Sequence, residues 1–184
     1  VKPQDNKPLE PVVMEKVDIV RKGKEARNFD ALSILETYFA EEAAWEEKIR
    51  AFGDELASGR SKADSLASGL KYLVLREGAG PKPEAGQMVM VHYAGWLEDG
   101  TLFDTSVDSI AQAFGKYEEL AAMHGGSFEP VPMDYSPDSR LIAGFKEALL
   151  NMQVGDKWRV YIPPHLGYGA QGAGPIPPNA NITF

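Results

Sequence analysis

The chain contains no cysteine. Thiol nucleophiles, disulfides and cysteine-based metal sites are therefore excluded, and the redox compartment stays open. Histidine is almost as scarce: His92, His124 and His165 are scattered, without the spacing that ligates a metal, so no metal site is expected. No apolar run approaches the roughly 18 residues of a membrane span. Excess positive charge is missing too: residues 1–69 carry 11 basic against 14 acidic side chains, and residues 70–184 carry 8 against 13. A net charge of -8 with neither part basic argues against nucleic acid or an anionic membrane as the main partner. No serine or threonine sits in a nucleophile motif. The first residue is Val1, with no initiator Met and no signal-peptide pattern, so an upstream segment is expected.

What is present is a soluble, globular composition, 43% apolar and 25% charged, in 184 residues. That length holds one domain of ordinary size plus extra elements. Residues 1–27 read as an extended leader, with one strand at about Met14–Val20 led in by Pro8 and Pro11. From Phe29 the apolar period lengthens: Leu32, Leu35, Phe39, Trp45, Ile49, Phe52 and Leu56 recur every three or four residues among acidic ones. The spacing predicts a long amphipathic helix over about 30–58, within a segment 28–60, capped by Asp30 or Asn28 and ending before Gly59. Its apolar stripe must bury against something: the following domain, a second copy, or a client protein. Residues 61–69 read as a linker.

Residues 70–184 alternate in short runs. Leu70, Tyr72 and Val74 begin a strand; Gln87–Leu97 alternates as another; Glu98–Gly100 turns the chain into Thr101–Thr105. Residues 144–152 form a short helix with Phe145, Leu149 and Met152 inward, and residues 154–156 turn into a strand over Lys157–Ile162. Few antiparallel strands on one short helix predict an α+β domain.

The stretch from Gly167 to Phe184, GYGAQGAGPIPPNANITF, is rich in glycine and proline and can be neither helix nor strand until its end. A loop of this length is usually functional. Within it GYGAQG fits G-x-G-x-x-G, but a dinucleotide site needs a helix N-terminus next, and AGPIPP forbids one. Asn181–Thr183 is a formal glycosylation sequon in a closing strand, and is read as accidental.

Four further motifs carry a resemblance. VHYAGWLEDGTLFDTS, LIAGFKEALLNMQVGDKW, IPPHLGYGAQG and IPPNA stand in the order and spacing of FK506-binding-protein-type peptidyl-prolyl isomerases, over about 110 residues. The resemblance implies a curled antiparallel half-barrel around a short helix, here preceded by the long amphipathic helix. It implies an isomerase of X-Pro bonds in proteins, a folding factor that needs no cofactor. A chaperone or peptide-binding module using the same pocket with little turnover is the alternative. Asp104 and Tyr168 fall on the polar positions, and Tyr93, Phe103, Leu141, Ile142, Phe145, Ile176 and Phe184 on the substrate-binding ones. Proline-containing polypeptides are the implied partners, with a homodimer or client contact through helix 30–58.

Three departures from the family pattern matter. The pocket floor, most often Trp, is Phe145, so macrolide binding is expected to be weakened. A segment at about 107–137 is longer than in compact members; it is expected to carry a short helix over about 108–122, with an aromatic wall position displaced to Val131–Met133. The last strand of the family is expected to run past Phe184. Residues 1–22 also resemble, briefly, the closing strand of cyclophilin domains, which implies the tail of an upstream domain. A cysteine-free chain with an upstream segment suits an exported, periplasmic bacterial protein.

Overall fold

The computed structural model describes residues 30–184, so the predicted leader strand and the cyclophilin-like run lie outside the described residues. The chain divides into Val1–Ala40 and Glu41–Phe184. Helix α1, Ala31–Lys62, starts where Asp30 Oδ1 accepts the Ser33 N–H at 3.2 Å, and Arg60 and Lys62 in its last turn suit the negative end of the helix dipole. It passes the stop expected at Gly59. That glycine serves close approach instead, since a Cβ there would overlap the Tyr161 hydroxyl. Strand β1, Asp64–Ser65, occupies part of the expected linker.

In the larger unit the second half of α1 buries its stripe on the domain. Leu56 is 2% exposed, and the Phe52 ring lies 5.2 Å from that of Trp96 and 5.1 Å from that of Phe114. A Cβ on Gly53 would stand 2.7 Å from the Asp99 carbonyl carbon, so only glycine lets the helix lie this close to the loop. Glu55 pairs with Arg159 at 2.7 Å, and Arg60 reaches Glu98 and Asn181. Leu32, Leu35 and Phe39 are exposed.

The remaining strands are β2 (Lys71–Arg76), β3 (Gln87–Val91), β4 (Ala94–Leu97), β5 (Leu102–Thr105), β6 (Val131–Tyr135), β7 (Lys157–Ile162) and β8 (Ile182–Thr183). Among the described residues β1 and five of these form one antiparallel sheet in the order β1-β2-β7-β8-β4-β5, while β3 and β6 pair with each other. Helix α4, Ala143–Asn151, covers the large sheet. Gly144 lets it lie close, because a Cβ there would meet Ile162 at 2.6 Å. Leu70, Phe103, Val160, Ile162, Ile176 and Ile182 are the buried core beneath it. This is the curled antiparallel sheet on a short helix that the resemblance implies.

Two expectations change. The run Gln87–Leu97 is not one strand: β3 pairs with β6 and β4 with β5, and the chain leaves one sheet for the other at His92–Tyr93. The cause is local. Ser106 Oγ accepts the Tyr93 N–H at 2.9 Å, while Tyr93 O accepts from the Ser106 N–H (2.9 Å) and the Thr105 hydroxyl (2.8 Å), so the Tyr93 backbone is withdrawn from a continuous ladder. The helix expected over about 108–122 is two, α2 (Asp108–Ala113) and α3 (Tyr117–Met123), separated at Gly115 with φ +65°. Their buried residues, Ala111 and Leu120, pack with Ala94 and Leu102.

Candidate functional site

Nine residues singled out by the sequence come from five elements. β5 carries Phe103 and Asp104 on adjacent positions where the register with β4 shifts: Asp104 pairs with Gly95 and Leu102 with Trp96, which leaves Phe103 unpaired in a bulge. Phe103 enters the core, 9% exposed, while the Asp104 side chain is 28% exposed. Tyr93 lies in the link between β3 and β4, and Phe145 is on the first turn of α4. Phe184 follows β8 and is tied to β7 by two hydrogen bonds with Val160, of 2.7 and 2.9 Å.

The four rings meet edge to face. Phe184 is the hub, 5.0 Å from Phe145, 5.6 Å from Phe103 and 6.2 Å from Tyr93, and Tyr93 stands 6.5 Å from Phe145. Such pairs favour the T-shaped geometry, because a positive ring edge meets a negative face. Gly95 in β4 makes room for them: a Cβ there would lie 2.5 Å from Phe103 Cε2 and 2.9 Å from Phe184 Cε1. Ile176 is buried in the same core, and Leu141 and Ile142 are half-buried beside α4.

A polar edge borders this apolar group. The Tyr93 hydroxyl donates to Asp104 Oδ2 at 2.7 Å. Burial, then the bond to Asp104 and its charge, push the Tyr93 hydroxyl pKa above its ordinary range, so it remains a donor. Ile142 is the cap residue of α4, with extended backbone at φ -57°, ψ 146°, and its N–H donates to no backbone carbonyl among the described residues.

Tyr168 belongs to the glycine- and proline-rich loop and is 36% exposed. The loop is bonded to itself: Ala173 and Ile176 exchange backbone bonds of 3.0 and 2.9 Å, and the Asn179 N–H donates to Gly169 O at 2.8 Å. Gly172, at φ +66°, makes its turn possible. Ile176 of the loop packs in the same core as Phe103 and Phe184, while Tyr168 is exposed on the loop. Val131–Met133, where the aromatic wall position was expected, begins strand β6, anchored by the Tyr135 hydroxyl on Leu150 O at 2.8 Å.

One site residue escaped the sequence reading. His124, set aside there as one of three scattered histidines, places Nε2 2.9 Å from Asp104 Oδ1. No spacing in the chain points to it, because the contact spans two elements joined only in the fold. Two depressions elsewhere, of about 480 and 130 Å³, lie along α1 between Glu46, Asp54, Glu98 and Thr101, and between Leu56, Arg60, Tyr161 and Asn181. They are grooves of the helix contact, and none of the four rings lines them. Among the described residues no cluster of His, Asp and Glu can hold a metal, and no helix is long and apolar enough to cross a membrane.

Comparison with known proteins gives one consistent answer. The profile described as FKBP-type peptidyl-prolyl cis-trans isomerase matches residues 80–184. The chain is 37% identical over 135 residues to FKBP-type peptidyl-prolyl cis-trans isomerase FkpA of Aeromonas hydrophila, covering 72% of this chain and 42% of that protein. It is 33% identical over 173 residues to the FKBP-type 22 kDa peptidyl-prolyl cis-trans isomerase of Escherichia coli, covering 94% of this chain and 65% of that one. The crystal structure of FkpA from Escherichia coli superposes with a TM-score of 0.51 at 26% identity, covering 85% and 70% of the two chains. The chain thus spans about half the length of the curated relatives it matches.

Proposed function

Since the chain belongs to the FKBP-type peptidyl-prolyl cis-trans isomerase family, we propose that its larger unit accelerates rotation about X-Pro bonds in polypeptides. The observation that carries this is the edge-to-face group of Tyr93, Phe103, Phe145 and Phe184 beside the Asp104 carboxylate.

Rotation about an X-Pro bond faces a barrier of ~18–20 kcal/mol and takes tens of seconds or longer unaided. Amide resonance makes the barrier, and water strengthens resonance by solvating the charge-separated form. A proline ring seated among the four rings loses that water, which favours the twisted, less polar amide. In this reading Phe145 is the floor, with Tyr93, Phe103 and Phe184 as walls and Leu141 and Ile176 as apolar rim. The Ile142 N–H and the Tyr168 hydroxyl hold substrate carbonyls. Asp104 acts by its field and its orientation on the twisting amide; no proton is taken and no bond breaks. The Tyr93 hydroxyl, donating at 2.7 Å, supports it in that role.

The finer partners follow the same reading. Phe145 is smaller than the Trp most common at the floor and lacks its N–H, so a macrolide inhibitor binds weakly. The exposed apolar residues Leu32, Leu35 and Phe39 support a homodimer or client contact through α1. We read 107–137 as an insertion, and the chain as part of an exported bacterial folding factor, as its likeness to an outer membrane protein MIP of Legionella longbeachae supports.

NMR exchange between cis and trans forms of an Ala-Leu-Pro-Phe peptide tests the activity. Faster exchange at catalytic protein concentration is expected. Binding without acceleration refutes the isomerase and leaves the peptide-binding module. Sedimentation of the full chain against one beginning at Ser68 tests the dimer, which is expected only for the full chain.

A further inference from the structure

The two oxygens of Asp104 are treated differently, and this matters if the pocket is the isomerase site proposed above. Oδ2 accepts the Tyr93 hydroxyl. Oδ1 is buried and receives no aligned hydrogen bond, although His124 Nε2 stands only 2.9 Å away. A buried carboxylate oxygen without a donor is costly, and a small turn of the imidazole converts this approach into a charge-assisted bond. The two side chains are 20% and 28% exposed, so solvent screens their interaction only partly.

The reach of His124 is set by segment 107–137. The residue directly follows α3, and its ring meets Phe128 edge to face at 5.8 Å, while Phe128 stacks on Tyr117 at 5.2 Å. Asp104, by contrast, is held by the sheet.

We propose that His124 is a positioning residue for the isomerase reaction: its imidazole, delivered by segment 107–137, closes Oδ1 of Asp104 and locks the carboxylate. The groups that bear on the ring are Asp104 from β5 and, through the carboxylate, Tyr93. Its own helix carries Tyr117, Glu118 and Glu119, and Glu119 is engaged by Lys116 at 2.6 Å.

The test uses the full chain and the Ala-Leu-Pro-Phe peptide, with kcat and KM from NMR exchange. His124→Ala is expected to be about tenfold slower, with KM little changed. His124→Gln, a neutral donor of similar reach, restores part of the rate. His124→Ala keeping the wild-type rate overturns the proposal, as does a loss confined to KM or a His124→Gln variant no faster than His124→Ala. A readout independent of turnover is the double-mutant cycle of His124→Ala and Asp104→Asn in thermal melting. Coupling is expected; additive shifts overturn the proposal even if the wild type isomerises nothing. A wild type without activity but with this coupling refutes the isomerase reading and leaves the His124–Asp104 lock standing.

Discussion

Tyr93→Phe isolates one oxygen atom at the centre of the site. The ring contacts of Tyr93 with Phe145 and Phe184 are kept, and only the 2.7 Å bond to Asp104 Oδ2 is lost. A hydrogen bond to a charged group is worth ~1.5–3 kcal/mol. Asp104 is more than a quarter exposed, so water replaces part of that bond and the lower end, about 1.5 kcal/mol, applies. In melting this is roughly 3–6 °C for a chain of this size. If the same bond orients Asp104 against the substrate, kcat/KM falls about tenfold, since ~1.4 kcal/mol is a factor of ten in rate.

The pH dependence adds a signed check. Burial first, and then Asp104, raise the Tyr93 hydroxyl pKa in the folded state. Its contribution to stability is therefore complete below the unfolded value, near 10, and is lost as pH climbs above it toward the folded value. The stability gap between wild type and Tyr93→Phe should narrow above about pH 10. Melting followed by circular dichroism from neutral to alkaline pH, with exchange NMR for the rate, measures both. A variant that melts lower but isomerises like the wild type would show that the hydroxyl is structural only, and would remove Asp104 orientation from the mechanism.

Gly95→Ala should cost about 1–3 kcal/mol in guanidinium unfolding and weaken peptide binding, because the new methyl meets Phe103 and Phe184; an unchanged midpoint refutes the packing. Leu56→Ala should cost ~2–5 kcal/mol by the same assay if the second half of α1 is docked as its 2% exposure indicates; a loss below about 1 kcal/mol speaks against docking. Asp156→Asn tests the turn before β7. The N–H groups of Gln153 and Gly78 donate to this carboxylate and hold its pKa below the ordinary carboxylate range. Its stabilisation is thus present above the unfolded value, near 3.9, and lost as pH falls through the folded one. Wild type and variant should differ in melting temperature at pH 7 and converge in strong acid; parallel curves down to about pH 2 refute the assignment.

The strand β7 and helix α4 were legible because pattern and structure share one cause, an apolar face turned to the core. The ring group was legible only through the motifs: Phe103 and Phe184 read as ordinary core, and both do pack in the core. Elsewhere tertiary contacts outweighed local signals. Gly59 reads as a helix stop but is a point of close approach to Tyr161. The alternation across Gln87–Leu97 reads as one strand, yet Ser106 and Thr105 take the Tyr93 backbone groups and turn the chain. His124 gave no signal, because its partner lies twenty residues earlier on a different element.

The place of β8 has a consequence for synthesis. Its two residues stand between β7 and β4, so they join the β1-β2-β7 side of the sheet to the β4–β5 hairpin. A ribosome makes this joining strand after every other described strand of the sheet, at about 5–20 residues per second. Until Ile182–Phe184 emerge, the hairpin carrying Asp104 can pair only within itself, and the Phe145 and Phe103 rings lack their hub. The pocket of this proposed folding factor is thus closed only once β8 has been made, and nascent chains stalled before Asn181 should hold the hairpin and α4 as separate pieces.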